Sequence, residues 1–153
     1  MNETKDVELK DEVVINAPKS AVYAALNDPE ILQQCIPGCE ELVKLSETEY
    51  EGRIVLKFGP VKAKLGCNLE LDASGAPDAF SLMGQGNGGA AGHAKGGADV
   101  TLSEEDGATV LRYEAKAEIG GKLAQLGGRL IQSTSRKLAG DFFKAFAEVM
   151  ETA

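Results

Sequence analysis

The chain contains 153 residues, 43% of them hydrophobic and 26% charged, and carries a formal charge of −8 at pH 7. This length is enough for one domain with a core of its own, and the composition excludes an intrinsically disordered chain. The excess of acid argues against a surface that binds nucleic acid or an anionic membrane, because phosphates are repelled. We therefore expect a single domain over residues 1–153.

The compartment and the metal chemistry can be predicted from a few residue types. No apolar run approaches the roughly 20 residues that span a bilayer, and residues 1–11 are polar, unlike a signal peptide. Cys35, Cys39 and Cys67 make an odd number without an export signal, which indicates reduced thiols. His93 is the only histidine, so the four ligands of a structural zinc are missing. The sequence predicts a cytoplasmic protein without a bound metal or covalent cofactor.

An alternating strand opens the chain, with apolar residues at the odd positions Val7, Leu9, Val13 and Ile15. Pro18 suits the first turn of a helix that follows this strand. Asn27-Asp28-Pro29 ends that helix and caps a second, shorter one, which stops at the Ile36-Pro37-Gly38 turn. The predicted order therefore begins with a strand and two helices.

After Cys39 the hydrophobic period changes to two, which predicts a succession of strands. Two short strands flank the Ser46-Glu47-Thr48 turn. The segment from Val61 to Asp72 is the clearest, because its odd positions are apolar and its even positions are polar or glycine. Three further strands are predicted over residues 80–87, 92–103 and 109–119, with a hairpin turn at Asp106-Gly107.

A long helix is predicted from residue 121 to about residue 150, where apolar residues recur every three or four positions. Gly127 and Gly128 interrupt it, at a cost of roughly 1 kcal/mol each relative to alanine. The whole order predicts an α+β fold, in which an antiparallel sheet of about seven strands curls around the C-terminal helix.

The stretch MGQGNGGAAGHAKGGADV, residues 83–100, raises the question of a phosphate site. Gly84, Gly86 and Gly89 match the spacing of the dinucleotide-binding fingerprint. That fingerprint requires a helix directly after the glycines, and here another alternating strand follows. No Gly-Lys-Ser/Thr sequence is present for a Walker loop. The phosphate interpretation therefore fails.

The same stretch has a second interpretation when alternate residues are compared. The even positions from Phe80 to Leu102 are apolar at both ends and almost free of side chains in the middle. We expect this face to bound a cavity mouth, with Gly127 and Gly128 facing it from the helix. The alternative is a tight bend of the sheet with close packing of helix against sheet and no ligand. On the cavity hypothesis, Gly96→Leu should lose the ligand and keep the fold.

Few polar residues are candidates for chemistry. His93 falls on the polar series, so a solvated histidine is favoured over a catalytic base. Asp11 and Thr134 lie on otherwise apolar faces, where they either contact polar groups of a ligand or form buried hydrogen bonds. Phe143 departs from the apolar stripe of the final helix and suggests a partner surface. Because no catalytic triad or inward pair of carboxylates is present, we expect no enzymatic activity.

Three segments together resemble a known family: ALNDPEILQQCIPGCEEL, GPVKAKLG and GGAAGHAKGGADVTL…GGKLAQLGGRLI. They are similar to the CoxG family of carbon monoxide dehydrogenase proteins, which belongs to the START-like helix-grip superfamily. The most specific parts are the turns Asn27-Asp28-Pro29 and Ile36-Pro37-Gly38-Cys39 and the segment Gly120-Gly121-Lys122-Leu123-Ala124. The segments occur in the family's order, and the resemblance covers nearly the entire chain.

This resemblance implies both a fold and a function. The fold is the helix grip, a curled antiparallel sheet around a long C-terminal helix, with a hydrophobic cavity between them. Members of the wider superfamily hold lipids, sterols, polyketides and quinones. The CoxG family is encoded beside molybdenum-containing carbon monoxide dehydrogenases and related hydroxylases. It is linked to the membrane recruitment of these enzymes rather than to their catalysis.

The resulting hypothesis is a non-catalytic carrier of a hydrophobic ligand, a respiratory quinone or another isoprenoid lipid. Its partners are that ligand and the molybdenum enzyme, with peripheral association at the inner face of the membrane and no nucleic acid. Inward positions of the sheet and the final helix give the candidate lining residues: Leu65, Cys67, Leu69, Phe80, Leu82, Gly84, Gly96, Ala98, Tyr113, Ala115, Leu123, Leu126, Gly127, Leu130, Ile131 and Thr134. Two alternatives stay open, an assembly factor that acts through its surface and a polyketide cyclase-type enzyme.

Overall fold

The structure is a computed structural model that describes residues 4–152. Its strands are β1 Thr4–Ile15, β2 Cys39–Lys44, β3 Glu49–Phe58, β4 Val61–Asp72, β5 Ala79–Asn87, β6 His93–Glu105 and β7 Ala108–Gly120. Its α-helices are α1 Lys19–Leu26, α2 Pro29–Cys35 and α3 Gly128–Thr152. Two 3₁₀ segments, Gly89–Ala91 and Gly121–Leu126, follow β5 and β7.

The strands form one seven-stranded sheet in the order β1-β7-β6-β5-β4-β3-β2. Every neighbouring pair is antiparallel, so consecutive strands from β2 to β7 are joined by hairpins. The first strand returns to pair with the last one. The predicted α+β helix-grip fold, a curled antiparallel sheet with a long C-terminal helix and two short helices after the first strand, is confirmed.

The β5–β6 hairpin keeps the side-chain parity across its turn. Gly84 pairs with Gly96, and Leu82 pairs with Ala98. The even positions are buried or half-buried from Phe80 to Gly86 and from Ala94 to Leu102, whereas the odd positions of β6 are exposed as far as Thr101. The prediction that the even series forms one inward face is therefore confirmed.

A side-chain cap separates the two short helices, as the sequence predicts. The Asp28 carboxylate accepts a hydrogen bond from the backbone N–H of Glu30 at 3.0 Å, and Pro29 occupies the first turn of α2. Proline has no backbone N–H, but an N–H in the first turn of a helix would have no partner within the helix, so proline costs nothing there. The chain therefore turns at this point without an unsatisfied buried N–H.

The long helix begins later than the sequence suggests. We expected it from residue 121, but Gly121–Leu126 is a 3₁₀ segment that buries Leu123 and Ala124, and α3 starts at Gly128. The break lies at Gly127, whose φ of +92° is incompatible with a continuous right-handed helix. The paired glycines therefore mark the start of the helix rather than a costly defect inside it.

Two separate apolar clusters hold α3 against the sheet. The first cluster joins the C-terminal half of the helix to α1, α2 and the far ends of the strands, and its largest buried members are Ile15, Val22, Leu71, Phe80, Leu111 and Phe146. The second cluster joins the first turn of α3 and the 3₁₀ segment before it to the opposite strand ends, through Val7, Phe58, Ala63, Leu65, Ile119, Leu123 and Ile131. The helix is therefore fixed near both of its ends.

Phe143 does not form a partner surface. Its half-buried ring stacks on Tyr113 of β7 with the ring centroids 5.0 Å apart and the ring planes at 21°. Phe143 therefore packs against the first cluster. The expectation of a partner contact was wrong because the rotation of the helix brings this position towards β7.

Candidate ligand site between the sheet and the long helix

Small side chains line both walls of the interior between the two clusters. On the sheet, Ala98 of β6 pairs with Ala115 of β7, and both are half-buried members of neither cluster. On the helix, Thr134 and Ser135 are also half-buried and lie between Ile131 of the second cluster and the phenylalanines of the first. We call the region between these four residues the central space and take it as the candidate ligand site.

The path of α3 explains why the central space is not closed by backbone. The backbone of α3 runs closest to β1, to β3 and to α2, and not to the middle strands of the sheet. Ala98 and Ala115 contribute only methyl groups to the sheet wall beneath the helix, and such small apolar side chains suit the wall of a site for an apolar molecule.

The glycines of β5 and β6 are packed by their neighbours. A Cβ at Gly96 would lie 2.3 Å from the backbone oxygen of Lys116, and one at Gly84 would lie 2.6 Å from Leu69 Cδ2. The Gly96→Leu expectation is therefore wrong, because any side chain at this position collides with β7 before it reaches a ligand. Gly96 serves the close approach of two strands, β6 and β7.

Gly127 and Leu130 lie at the end of the interior beside the second cluster. A Cβ at Gly127 would meet no atom within 4 Å, so the half-buried Gly127 borders open space. The side chain of Leu130 turns away towards the β3–β4 turn, with Cδ2 at 3.0 Å from the Cβ position of Gly59. Gly127, directly before the helix, therefore adjoins open space, and Leu130 covers the neighbouring hairpin.

The sixteen candidate lining residues separate into three groups. Leu65, Leu123 and Ile131 are core members of the second cluster, with Cys67 and Leu126 packed against it. Phe80 is a core member of the first cluster, with Leu82 and Tyr113 packed against it. The others belong to neither cluster and include three of the four central-space residues: Leu69, Gly84, Gly96, Ala98, Ala115, Gly127, Leu130 and Thr134.

Sequence reasoning missed three positions beside the central space. Ser135 shares the inner side of the helix with Thr134, and Leu9 and Leu138 pack at the border of the second cluster. Leu138 belongs to the apolar stripe, which is a signal that could have placed it. The only sequence signal at Leu9 is the alternation of its strand. That alternation does not indicate how much of the edge strand α3 covers.

Polar atoms lie along one side of this interior. Asp11 of the edge strand is paired in register with Tyr113 of β7. Burial raises the pKa of Tyr113, and the negative charge of Asp11 raises it further. Among residues 4–152, no buried side-chain nitrogen or oxygen lacks a hydrogen-bond partner. The hydroxyls of Tyr113 and Thr134 take part in no hydrogen bond among these residues, so both remain accessible. They are the polar groups that a bound molecule can reach.

The remaining reactive side chains lie away from the central space or are inactive. His93 is exposed, and its ring covers Gly120, where a Cβ would lie 2.3 Å from Nε2. Burial raises the pKa of Cys35, Cys39 and Cys67, so these free thiols stay protonated at neutral pH. Within the described part of the chain, no three His, Cys, Asp or Glu residues are grouped as a metal site.

The convex face of the sheet carries a groove of about 530 Å³. The exposed apolar side chains Leu45 and Met83 border it, together with charged residues such as Glu49 and Lys95. Three of the candidate lining residues, Leu69, Gly84 and Gly96, border this groove, whereas none of the central-space residues does. Over residues 4–152, no helix is both long enough and apolar enough to cross a bilayer.

Solved structures with the same fold define the class of this protein. A conserved protein from Geobacillus kaustophilus is 27% identical, with a TM-score of 0.85 over 98% of this chain and 96% of that one. A STAR-related lipid transfer protein from Xanthomonas axonopodis is 19% identical, with a TM-score of 0.66 over 94% and 85%. The ZhuI aromatase/cyclase from Streptomyces sp. R1128 is 12% identical, with a TM-score of 0.69 over 97% and 94%. The fold is thus the START-like helix grip.

The family model for CoxG, described as a subunit of carbon monoxide dehydrogenase, matches residues 12–151. The chain belongs to the CoxG family. A comparison with curated proteins finds no match.

Proposed function

We propose that the protein is a non-catalytic carrier of a hydrophobic small molecule, a respiratory quinone or another isoprenoid lipid. The observation that carries this proposal is the pair of small-residue walls, Ala98 and Ala115 on the sheet and Thr134 and Ser135 on α3, between two apolar clusters. An apolar interior with a few accessible polar atoms suits a largely apolar molecule with one polar group. The lipid transfer activity in the name of the Xanthomonas neighbour is in keeping with such cargo.

The polar end of the ligand lies beside Tyr113 in this proposal. A quinone carbonyl accepts hydrogen bonds, and the raised pKa of Tyr113 keeps the phenol protonated and therefore a donor at neutral pH. Thr134 supplies a second hydroxyl from the helix. The isoprenoid tail then extends past Ala98 and Ala115 towards Gly127, where the structure has open space.

The family suggests the partner of this carrier, a molybdenum-containing carbon monoxide dehydrogenase or a related hydroxylase. Such an enzyme, at the inner face of the membrane, must pass its electrons to a pool of lipid-soluble acceptors. A carrier that holds one acceptor molecule in a dry interior can deliver it to the enzyme. In this account the protein contributes binding and the enzyme contributes the redox chemistry.

Mass spectrometry of an organic extract of the purified native protein tests the carrier proposal. A quinone or other isoprenoid at near one molecule per chain is the expected result, and an intact-mass measurement under native conditions should show the same adduct. Protein that arrives empty and also fails to take up added quinone contradicts the proposal.

Two other functions also have support in the structure, and each predicts a different experimental result. The exposed side chains of Leu45 and Met83 suit an assembly factor that acts through the convex face, and its retention of the enzyme would not depend on ligand. The fold is shared with an aromatase/cyclase, and the pair Asp11 and Tyr113 offers an acid and a base. A polyketide returned in altered form would identify such an enzyme, whereas a carrier returns its ligand unchanged.

A further inference from the structure

The exposed apolar side chains of this protein are concentrated on one part of its sheet. Four large hydrophobic residues are exposed within residues 4–152, and three of them, Val43, Leu45 and Met83, border recesses on the convex face. The fourth, Val14, lies on β1, at the opposite edge of the sheet from β2. Grouped apolar side chains on a surface mark interaction sites, whereas single ones are ordinary.

The recesses form one continuous groove. A groove of about 530 Å³ and a second one of about 540 Å³ share Leu45 and Asn68 in their walls. Gly66 keeps the second one open, because a Cβ at this position would meet only the Asn87 backbone oxygen, at 3.9 Å. We call the joined groove the outer groove and define it by six of its bordering residues: Val43, Leu45, Glu49, Glu51, Glu70 and Met83.

Four residues of the outer groove form a row across the sheet. The backbone N–H of Leu45 donates a hydrogen bond to the backbone oxygen of Glu49 at 2.8 Å. Glu70 of β4 is paired in register with Glu49 of β3 on one side and with Met83 of β5 on the other. Because neighbouring strands are about 4.8 Å apart, Leu45 and Met83 are separated by about 14 Å, with the two carboxylates between them. The order along the row is therefore apolar, acidic, acidic, apolar.

The carboxylates of the outer groove lack counter-charges. Glu49 and Glu70 are exposed and lie directly opposite each other in the β3–β4 ladder, where like charges repel unless a cation is present. Neither of them, nor the exposed Glu51, takes part in an ion pair within residues 4–152.

The cations beside the outer groove already have acidic neighbours. Arg53 forms an ion pair with Glu41 at 2.8 Å. Lys95 lies directly across the β6–β7 ladder from Glu118. The outer groove therefore presents apolar side chains among uncompensated negative charges, and this combination is complementary to a partner that is both apolar and positively charged.

We propose that the outer groove docks a basic amphipathic helix of a partner protein. About nine helical residues cover the distance between Leu45 and Met83 at 1.5 Å per residue. Such a helix places apolar side chains at both ends of the row and lysine or arginine between them. An added β-strand would require a free sheet edge, whereas Glu49, Glu70 and Met83 lie on inner strands of the sheet.

Other occupants are less complementary to the outer groove. Its carboxylates repel nucleic acid and anionic lipid headgroups. A two-fold symmetric dimer through this face would place the outer groove of one copy against that of the other, so that like charges would be opposed. A basic helix meets neither obstacle.

Fluorescence anisotropy of a labelled synthetic peptide tests the docking site. The probe is a leucine–lysine peptide of about 15 residues with the pattern of an amphipathic helix, and its counterpart carries glutamate in place of every lysine. The full chain should bind the lysine peptide alone, and more weakly at high salt. Equal binding of both peptides, or binding of neither, overturns the proposal.

Two double variants locate the bound peptide. Each exposed ion pair contributes about threefold, so Glu49→Gln/Glu70→Gln should raise the Kd of the lysine peptide by about tenfold. Leu45→Ser/Met83→Ser removes two apolar anchors and should raise the Kd by about tenfold or more. All four side chains are exposed, so both variants should fold, which circular dichroism checks.

Matched variants outside the outer groove serve as controls. Glu105→Gln/Glu148→Gln removes the same charge from exposed positions, and Val14→Ser removes the exposed apolar side chain at the other edge of the sheet. Each control should bind the lysine peptide as the wild type does. Equal loss in the groove variants and the controls overturns the proposal. Self-association that requires Glu49 and Glu70, without peptide binding, also overturns it and indicates a second copy as the occupant.

A separate loading assay distinguishes docking from ligand carriage, because docking depends on the side chains of the outer groove and not on the proposed function. When quinone is delivered from cyclodextrin, Glu49→Gln/Glu70→Gln should load as the wild type does. A wild type that binds the lysine peptide and never loads contradicts the proposed function and leaves the docking site supported. A wild type that loads and binds no peptide gives the opposite result.

Discussion

The Tyr113 ring of β7 stacks on the Phe143 ring of α3, with their centroids 5.0 Å apart. Phe143 also meets Phe142 edge to face at 5.0 Å. Because the backbone of α3 otherwise stays closest to β1, β3 and α2, this stack is a direct tie between the helix and a central strand. It forms the border between the first cluster and the central space.

We expect Phe143→Ala to lower the free energy of unfolding by about 2 kcal/mol, less than for a fully buried phenylalanine because Phe143 is half-buried. Phe146→Ala is the comparison, since Phe146 is fully buried, and its loss should cost about 4 kcal/mol. Urea unfolding of both variants measures the difference. A cost below about 0.5 kcal/mol for Phe143→Ala would show that the stack does not hold the helix.

Filling the central space should exclude the ligand. Ala98→Leu adds three carbon atoms at the middle of the sheet wall, and we expect at least a tenfold loss of quinone affinity with a folded protein. Ala21→Leu is the control, because Ala21 is exposed on α1 and should leave affinity unchanged. Titration with a short-chain quinone, followed by tyrosine fluorescence, gives both constants. Unchanged affinity in Ala98→Leu would place the ligand elsewhere.

Substitution by alanine should change the stability of the fold in opposite directions at two glycines. Gly96→Ala places a methyl group 2.3 Å from the Lys116 backbone oxygen, and should destabilise the fold by more than about 2 kcal/mol. Gly140→Ala meets nothing within 4 Å in the middle of α3, and should stabilise it by about 1 kcal/mol. Thermal unfolding compares the two variants. A neutral Gly96→Ala would contradict the close approach of β6 and β7.

Alkaline pH should weaken the fold through Tyr113. Its pKa is raised above the ordinary value of 10.0 by burial and then by Asp11, so the folded state holds the phenolic proton more tightly than the unfolded chain. This stabilisation is complete below the unfolded pKa and is lost as the pH rises through the folded pKa.

The matching measurement is urea unfolding of the wild type and of Tyr113→Phe from about pH 8 to 11. The wild type should lose stability more steeply above pH 10 than the variant does, since the variant has no proton to lose at this position. Parallel pH profiles would show that the environment of Tyr113 favours neither protonation state.

Alternation and turn chemistry were enough to predict the order of elements. The cap at Asp28 and the parity of β5 and β6 were predicted because each depends on residues close in sequence. The start of α3 was not predicted correctly. Gly127 and Gly128 are compatible both with a long helix that contains two destabilising glycines and with a turn before a shorter helix. Only the packing of Leu123 and Ala124 in the 3₁₀ segment decides between them.

The candidate site was harder to predict for a related reason. An inward position can belong to a packed cluster or to the space between clusters. Strand alternation predicts that Leu65 and Ala98 both point inward, and it does not show that only Leu65 belongs to a cluster. The role of Gly96 depends on the distance to Lys116 across β7, which no local pattern contains.

The central claim is that a hydrophobic ligand occupies the space between Ala98, Ala115 and α3. The most direct test is NMR of protein with ¹³C-labelled alanine methyl groups, titrated with a ubiquinone of short isoprenoid chain. The account predicts that the Ala98 and Ala115 methyl signals shift and show nuclear Overhauser contacts to the ligand, while that of Ala21 stays in place. Saturable binding that leaves Ala98 and Ala115 unshifted would contradict it.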